Sequence, residues 1–205
     1  MFIVLEGPDA VGKASQTIAL QQRLEKLGHV VCCYVFPRYD TPLGQVILRH
    51  LHDDRRHNDR AEAYMLQSMM TVDRIDVAAE IQNKLDREIG IIIADRWWPS
   101  GVVYGQADGL PYEWLLRIHE SLPKADLHIL LQVSHAEALA RRPDLRDRYE
   151  RDKVKQEAVR RLYAQLWDSQ DPKHWVKVDG TGTPVEVGER IWTQVMRVWN
   201  FVYAD

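Results

Sequence analysis

The chain has 205 residues, 45% of them hydrophobic, which is enough for one globular domain over 1–205 with a full core, and no Pro/Gly/Ser-rich linker divides it. Its formal net charge of −3 argues against a protein that coats nucleic acid or an anionic membrane, so any anion site has to be built locally. No run approaches a transmembrane span and the start is a strand-like run rather than a signal peptide, so a cytoplasmic location is expected.

Residues 1–6 (MFIVLE) read as a buried strand that breaks at Gly7 and re-forms as a helix after Gly12-Lys13. The nine residues Gly7, Pro8, Asp9, Ala10, Val11, Gly12, Lys13, Ala14 and Ser15 spell a Walker A loop with one irregular letter. Glycines let backbone N–H groups curl around phosphate oxygens, the helix points its positive end at the anion, and Lys13 reaches the outer phosphates. A nucleoside triphosphate is the implied ligand. The amphipathic pattern Ile18, Leu20, Leu24, Leu27 continues the helix. Ala14 stands where a Ser or Thr hydroxyl normally ligates Mg²⁺, and Ser15, about 100° further round, need not face the ion. Either carboxylates hold the metal, with Asp9 the first candidate, or the loop binds nucleotide without turnover.

Further buried strands are expected at 30–36, 91–94, 127–133 and 175–178, with helical patterns between them. Such alternation predicts an α/β fold of three layers, a five-stranded parallel sheet flanked by helices, with ligands off the carboxyl ends of the strands. Cys32 and Cys33 are adjacent on the second strand, point to opposite faces and read as core thiols.

After the second strand comes Phe36-Pro37-Arg38-Tyr39, and after the third Asp95-Arg96-Trp97-Trp98-Pro99-Ser100-Gly101. Arg96 can fork a phosphate bidentately, and Asp95 can orient water on Mg²⁺. Over a long helical pattern, about 58–87, Gln67, Met70 and Arg74 share a face. Either Met70 is core and Arg74 pairs with Asp73 or Asp76, or Met70 is a flat rest for a base and Arg74 a donor to its carbonyl edge. The dense mixed charges of 141–151 read either as a solvated loop or as a lid whose cations close over a transferring phosphoryl group. Asp179-Gly180-Thr181-Gly182-Thr183 is a turn before a closing helix from Pro184 with Val187, Ile191, Val195 and Val198 along a core stripe.

Taken together, Gly7-Pro8-Asp9-Ala10-Val11-Gly12-Lys13 with Gln16, Phe36-Pro37-Arg38-Tyr39, Asp73-Arg74, Asp95-Arg96 with Ser100-Gly101 and Tyr104, Leu122-Pro123-Lys124-Ala125-Asp126, and Arg148-Tyr149-Glu150-Arg151-Asp152 resemble the thymidylate kinase family. The resemblance covers most of the chain, in family order. It implies transfer of the γ-phosphoryl group of ATP, with Mg²⁺, to dTMP in deoxynucleotide biosynthesis. By resemblance, Lys13 binds the donor phosphates, and Asp9 holds the metal or positions the acceptor phosphate. Phe36, Arg38 and Tyr39 border the acceptor, Arg74 meets the thymine carbonyl, Arg96 grips the monophosphate, and Tyr104 lies close to the deoxyribose. Gln67, Met70, Ser100 and Gly101 join that acceptor group. Tyr149 and Glu150 are expected as acceptor and metal contacts.

The departures are Met70 where many members have an aromatic residue, Ala10 where some have arginine, Ala14, and Gln106 with Asp108 beside the acceptor pocket. Lid arginines Arg142, Arg146 and Arg148 are available to supply the charge missing at Ala10. Arg142 and Thr181 are expected beside the adenine, Asp9, Asp95 and Glu150 at the metal. A homodimer is implied by the resemblance alone. Two other readings stay open, a deoxynucleoside kinase and a nucleotide-binding protein without turnover.

Overall fold

The computed structural model describes residues 1–53, 60–141, 149 and 152–202. Five strands, β1 (Phe2–Glu6), β2 (Val31–Val35), β3 (Ile91–Asp95), β4 (Leu127–Gln132) and β5 (Trp175–Asp179), form one sheet in the order β2-β3-β1-β4-β5. Every pairing is parallel, with Ile3 opposite Ile93 on one side and Leu127 on the other. The eight described helices are α1 (Lys13–Lys26), α2 (Pro42–His52), α3 (Arg60–Asp86), α4 (Trp98–Ala107), α5 (Tyr112–His119), α6 (His135–Arg141), α7 (Lys153–Asp168) and α8 (Pro184–Val202). The predicted three-layer α/β architecture and all five predicted strands are present.

Because both faces of a parallel sheet are covered, its strands are apolar throughout and successive side chains serve opposite layers. Ile3 and Leu5 join Leu20 and Leu24 of α1 and the Val187, Ile191, Val195, Val198 stripe of α8. Phe2 and Val4 face the other layer with Val77 and Ile81 of α3 and Trp97. Two expectations need correcting. Ile18 and Leu27 are exposed rather than part of the buried stripe of α1, which consists of Leu20 and Leu24. Cys32 and Cys33 are only half-buried, because β2 is an edge strand; the Cys33 thiol donates to Gln21 Oε1 at 3.3 Å.

The second layer holds two histidines sealed from water. His119 of α5 sets Nδ1 2.6 Å from the Leu115 carbonyl and Nε2 3.1 Å from Thr71 Oγ1 of α3. His128 of β4 stacks on Trp175 with centroids 3.9 Å apart. Burial pushes both imidazoles down to about 3, with Arg74 adding to the shift of His119 and His174 to that of His128. Both are neutral in the folded chain, so between about pH 3 and 6.5 the unfolded chain binds more protons and stability falls as pH falls. The slope is on the order of 1.4 kcal/mol per pH unit for each histidine in mid-window. His128→Phe keeps the stack and removes one titration. Its urea midpoint is expected to drop less between pH 6.5 and 4.5 than that of the unaltered chain; equal drops would contradict this assignment.

Candidate active site

The loop after β1 is shaped by three left-handed residues, Ala10 (φ 62°), Gly12 (φ 98°) and Gly7 (φ 143°). At Gly7 a Cβ would lie 2.6 Å from the Leu131 carbonyl oxygen of β4, so no larger residue fits. Lys13, in the first turn of α1, folds over this loop and donates to the carbonyls of Gly7 at 3.0 Å and Pro8 at 2.7 Å. Burial pushes its ammonium down to about 8 and Arg96 adds to this, against the pull of Asp95, Asp9 and Glu6. It remains mostly charged at neutral pH, and an added polyanion would push its pKa back up. The loop borders a cavity of about 790 Å³ whose walls include Gly12, Lys13, Ser15, Phe36, Asp95 and Arg96.

Arg96 follows β3 in the left-handed conformation at φ 70°, which is strained for a residue with a Cβ. Its Nη1 donates to the Gly7 carbonyl and Ser100 Oγ, both at 3.1 Å, and its Nη2 pairs with Asp9 Oδ1. The other Asp9 oxygen accepts from the Tyr104 hydroxyl at 2.8 Å and from Gln156 Nε2 of α7 at 3.3 Å. Burial would raise the Asp9 carboxyl, but Arg96 and Lys13, then the Tyr104 and Gln156 hydrogen bonds, outweigh it and hold it below the usual carboxylate range. For Arg96 burial likewise opposes the charge, and Tyr104, Asp9, Tyr163 and Asp95 more than offset it. A carboxylate this firmly ionised is a poor proton acceptor.

Beneath this pair lies Glu6, the last residue of β1 and wholly buried. Alternation along β1 turns it to the layer of Phe2 and Val4, where α4 and α7 pack. Its Oε1 accepts from the backbone N–H of Trp97 at 2.7 Å and of Ser100 at 3.3 Å, and its Oε2 from Ser100 Oγ at 2.6 Å and the Tyr163 hydroxyl at 2.8 Å. Glu6 thereby fixes the start of α4 and, through Ser100, the guanidinium of Arg96.

A second, smaller cavity adjoins the first and is lined by Met70, Arg74, Arg96, Ser100, Tyr104 and Tyr149, among others. Arg74, wholly buried on α3, donates from Nη1 to the Met70 carbonyl at 2.9 Å and lies 5.7 Å from the Phe36 ring centroid. Burial pushes Arg74 down to about 10, so it stays charged at neutral pH. Its Nε and both amide atoms of Gln67 are buried without hydrogen-bond partners. Such orphans cost about 1–3 kcal/mol each; a planar ligand in the cavity could offset that of Arg74, whereas Gln67 lines neither cavity.

Residues 5–191 match the family model described as thymidylate kinase. The chain belongs to that family. A probable thymidylate kinase of Methanosphaera stadtmanae is 34% identical over 197 residues, 96% of this chain and 98% of the relative. The human thymidylate kinase is 28% identical over 191 residues, 93% of this chain and 87% of the relative. The solved structure of the Candida albicans thymidylate kinase matches with a TM-score of 0.76 at 23% identity, covering 97% of this chain and 92% of that one, which speaks for the fold.

Within this family member Lys13, Asp9, Arg96, Ser100, Tyr104, Met70, Arg74 and Tyr149 converge around the two adjoining cavities, and Phe36 and Tyr39 line them as well. Arg38 is turned elsewhere: its Nε pairs with the buried Asp73 carboxylate at 3.0 Å and its Nη2 with Asp76 at 2.6 Å. Thus Asp73 and Asp76 are engaged by Arg38, and Arg74 is left for the pocket. Gly101 meets α5 rather than a cavity, since a Cβ there would lie 2.5 Å from the His119 ring. Gln106 lies in the last turn of α4 and lines neither cavity. Thr181 is held in its turn by Asp179, to which its N–H and hydroxyl donate at 2.9 Å. Arg142, Arg146, Arg148 and Glu150 lie outside the described residues.

Sequence reasoning missed Glu6, Gln156, Tyr163 and Arg141. The last bridges the phosphate loop and the Thr181 turn, donating to the carbonyls of Val11 at 3.3 Å and Gly180 at 2.7 Å. Gln156 and Tyr163 stand seven residues apart on one stripe of α7, a spacing that could have paired them.

Among the described residues, the carboxylates placed so that they could hold a metal ion are Asp95, which is 5% exposed and lines the larger cavity beside Lys13, and Asp9. Among the described residues no three acidic, histidine or cysteine groups cluster as a dedicated cation cage. Mg²⁺ held by one or two carboxylates, substrate phosphates and water needs none, so these residues fit it. Ser15, the hydroxyl displaced from the usual position, donates to the Gly12 carbonyl at 2.8 Å.

Proposed function

We propose that this chain, acting as one catalytic domain, transfers the γ-phosphoryl group of ATP to dTMP, giving dTDP and ADP. The observation that carries the reading is the Gly7 carbonyl, which accepts from Lys13 Nζ and from Arg96 Nη1 alike. One cation comes from the donor-phosphate loop and the other from a residue that forks an acceptor phosphate. They converge on one atom, so two phosphates bound to them abut.

The acceptor phosphate is already an anionic nucleophile, and no base is needed to activate it. That favours a monophosphate over a nucleoside hydroxyl, because Asp9, the carboxylate nearest Arg96, is held below the usual carboxylate range and is a poor proton acceptor. Lys13 binds the donor phosphates, Arg96 aligns the acceptor, and Asp9 orients Arg96 and Tyr104. Mg²⁺, held by Asp95 and Asp9, would neutralise charge on the transferring group. Arg142, Arg146 and Arg148 complete the cation set in this proposal. Phe36 and Tyr39 border the acceptor, and Arg141 joins Thr181 at the adenine side.

An acceptor scan with Mg-ATP and coupled detection of ADP tests the reading. ADP is expected with dTMP and not with thymidine. ADP with thymidine alone would make the chain a nucleoside kinase, and ADP with neither would leave a nucleotide-binding protein. Arg74→Ala is expected to raise KM for dTMP about 10–100-fold, as befits a lost charge-assisted bond of about 1.5–3 kcal/mol, with KM for ATP within twofold. Equal losses for both substrates would remove Arg74 from the base pocket.

A homodimer belongs to the same proposal. The outward face of α3 exposes Met65, Val72 and Ile75, an apolar stripe that a second copy could cover. Sedimentation at micromolar concentration would report it.

A further inference from the structure

Asp108 caps the C-terminal end of α4, one turn beyond Tyr104, and its backbone N–H donates to the Tyr104 carbonyl at 3.0 Å. Its side chain is 3% exposed, yet it carries a charge: Lys155 Nζ of α7, itself 8% exposed, pairs with Oδ1 at 2.7 Å. The other oxygen, Oδ2, accepts the hydroxyl proton of Tyr149. Lys155 Nζ also lies 4.9 Å from the Tyr149 ring centroid. The neighbouring residue on α7, Gln156, holds the opposite end of Tyr149, donating to its carbonyl at 3.0 Å while reaching Asp9. Tyr149 is thus fastened at its hydroxyl and at its backbone. Its ring is presented edge-on to Tyr104 with centroids 5.2 Å apart, and both rings line the smaller cavity.

A buried ion pair is weak support for stability, because desolvation offsets most of its attraction and apolar substitutes of similar volume often serve as well. Its value lies in geometry. A neutral acceptor at position 108 could bind the Tyr149 hydroxyl, but only a carboxylate held by a cation keeps one oxygen on α7 and the other on the ring. Carbonyl and hydroxyl of Tyr149 are then both fixed with respect to α4, the helix that carries Tyr104.

We infer that Asp108 and Lys155 are positioning residues for the acceptor: their ion pair seats Tyr149 against Tyr104 and so sets the sugar side of the acceptor cavity. This rests on the reading of that cavity as the dTMP site. The pair touches neither acceptor nor donor; it acts through Tyr149.

The test compares Tyr149→Phe, which removes only the hydroxyl, with the double variant Asp108→Leu/Lys155→Met, which removes the ion pair while keeping volume, and with all three substitutions together. The unaltered chain must first phosphorylate dTMP; if it does not, the reading of the site fails before the pair is tested. Given that activity, Tyr149→Phe and the double variant are each expected to raise KM for dTMP about tenfold. KM for ATP should stay within twofold, and the preference for dTMP over 5-methyluridine 5′-monophosphate should shrink. Because the pair acts through the hydroxyl, the triple variant should lose no more than the double variant. Additive losses would overturn the inference, as would an unchanged KM for dTMP in Tyr149→Phe or in a double variant that merely melts lower. If the double variant does not fold, Asp108→Asn, which leaves a single acceptor oxygen to be shared by Lys155 and the Tyr149 hydroxyl, takes its place in the comparison with the same outcomes.

Discussion

Arg96→Lys is expected to lower kcat/KM for dTMP about a thousandfold while leaving the melting midpoint within a few degrees. Lysine keeps the positive charge, so a merely electrostatic role would survive the change. What it loses is the fork: Nη1 of Arg96 spans the Gly7 carbonyl and Ser100 Oγ while Nη2 holds Asp9. A single ammonium cannot make these contacts and also grip two phosphate oxygens in a plane. Misplacement of the acceptor by an ångström adds to the lost contact, and about 4 kcal/mol in the barrier corresponds to the stated factor. The backbone at φ 70° is equally strained with either side chain, so folding should not confuse the result. A coupled ADP assay beside a thermal melt measures both quantities. A loss below tenfold would take Arg96 away from the reacting phosphates.

Glu6→Gln should produce the largest loss of stability of any single isosteric change in the site, on the order of 3 kcal/mol. Glu6 accepts four hydrogen bonds with no exposure to water. An amide offers one acceptor oxygen and turns two donors toward groups that are themselves donors, so at least one of these bonds must fail. The change also removes a negative charge that favours the charged forms of Lys13 and Arg74. In a chain of this length the melting midpoint should fall by about 6–12 °C. Because Ser100 and Tyr163 help to hold Arg96, kcat should drop about tenfold alongside. An unchanged urea midpoint would mean that the carboxylate does not carry these bonds.

What could be read in the sequence were features governed by short-range rules. The phosphate loop, the five apolar strands and the α8 stripe follow from spacing and periodicity, and the structure has them at nearly the expected bounds. The strand-end rule places Asp95 and Arg96 beside the phosphate loop, where both line the larger cavity. Arg38, expected at the acceptor, pairs with Asp73 instead, because nothing local distinguishes attraction to a phosphate from attraction to a carboxylate and the approach of α3 supplies the latter. Gly101, expected beside the acceptor, is set against His119, a contact across 18 residues of sequence that no motif encodes. Glu6 was within reach: a sheet covered on both faces makes every β1 position interior, so a carboxylate there must be bonded. Gln156 and Tyr163 required knowing that α7 lies beside α4.

The strand order gives the two substrates separate addresses. Most walls of the proposed acceptor cavity come from beyond β2 and β3, to one side of central β1, with Tyr149 crossing from beyond β4; the turn proposed for adenine comes from beyond β5, with Arg141 of α6 reaching it. The loop of β1 stands between them and serves both, as Asp9 does in lining the two cavities. Heritable drift in which base is taken can therefore accumulate on one flank, as at Met70, without disturbing the donor, whereas a change in the central loop is felt by both at once.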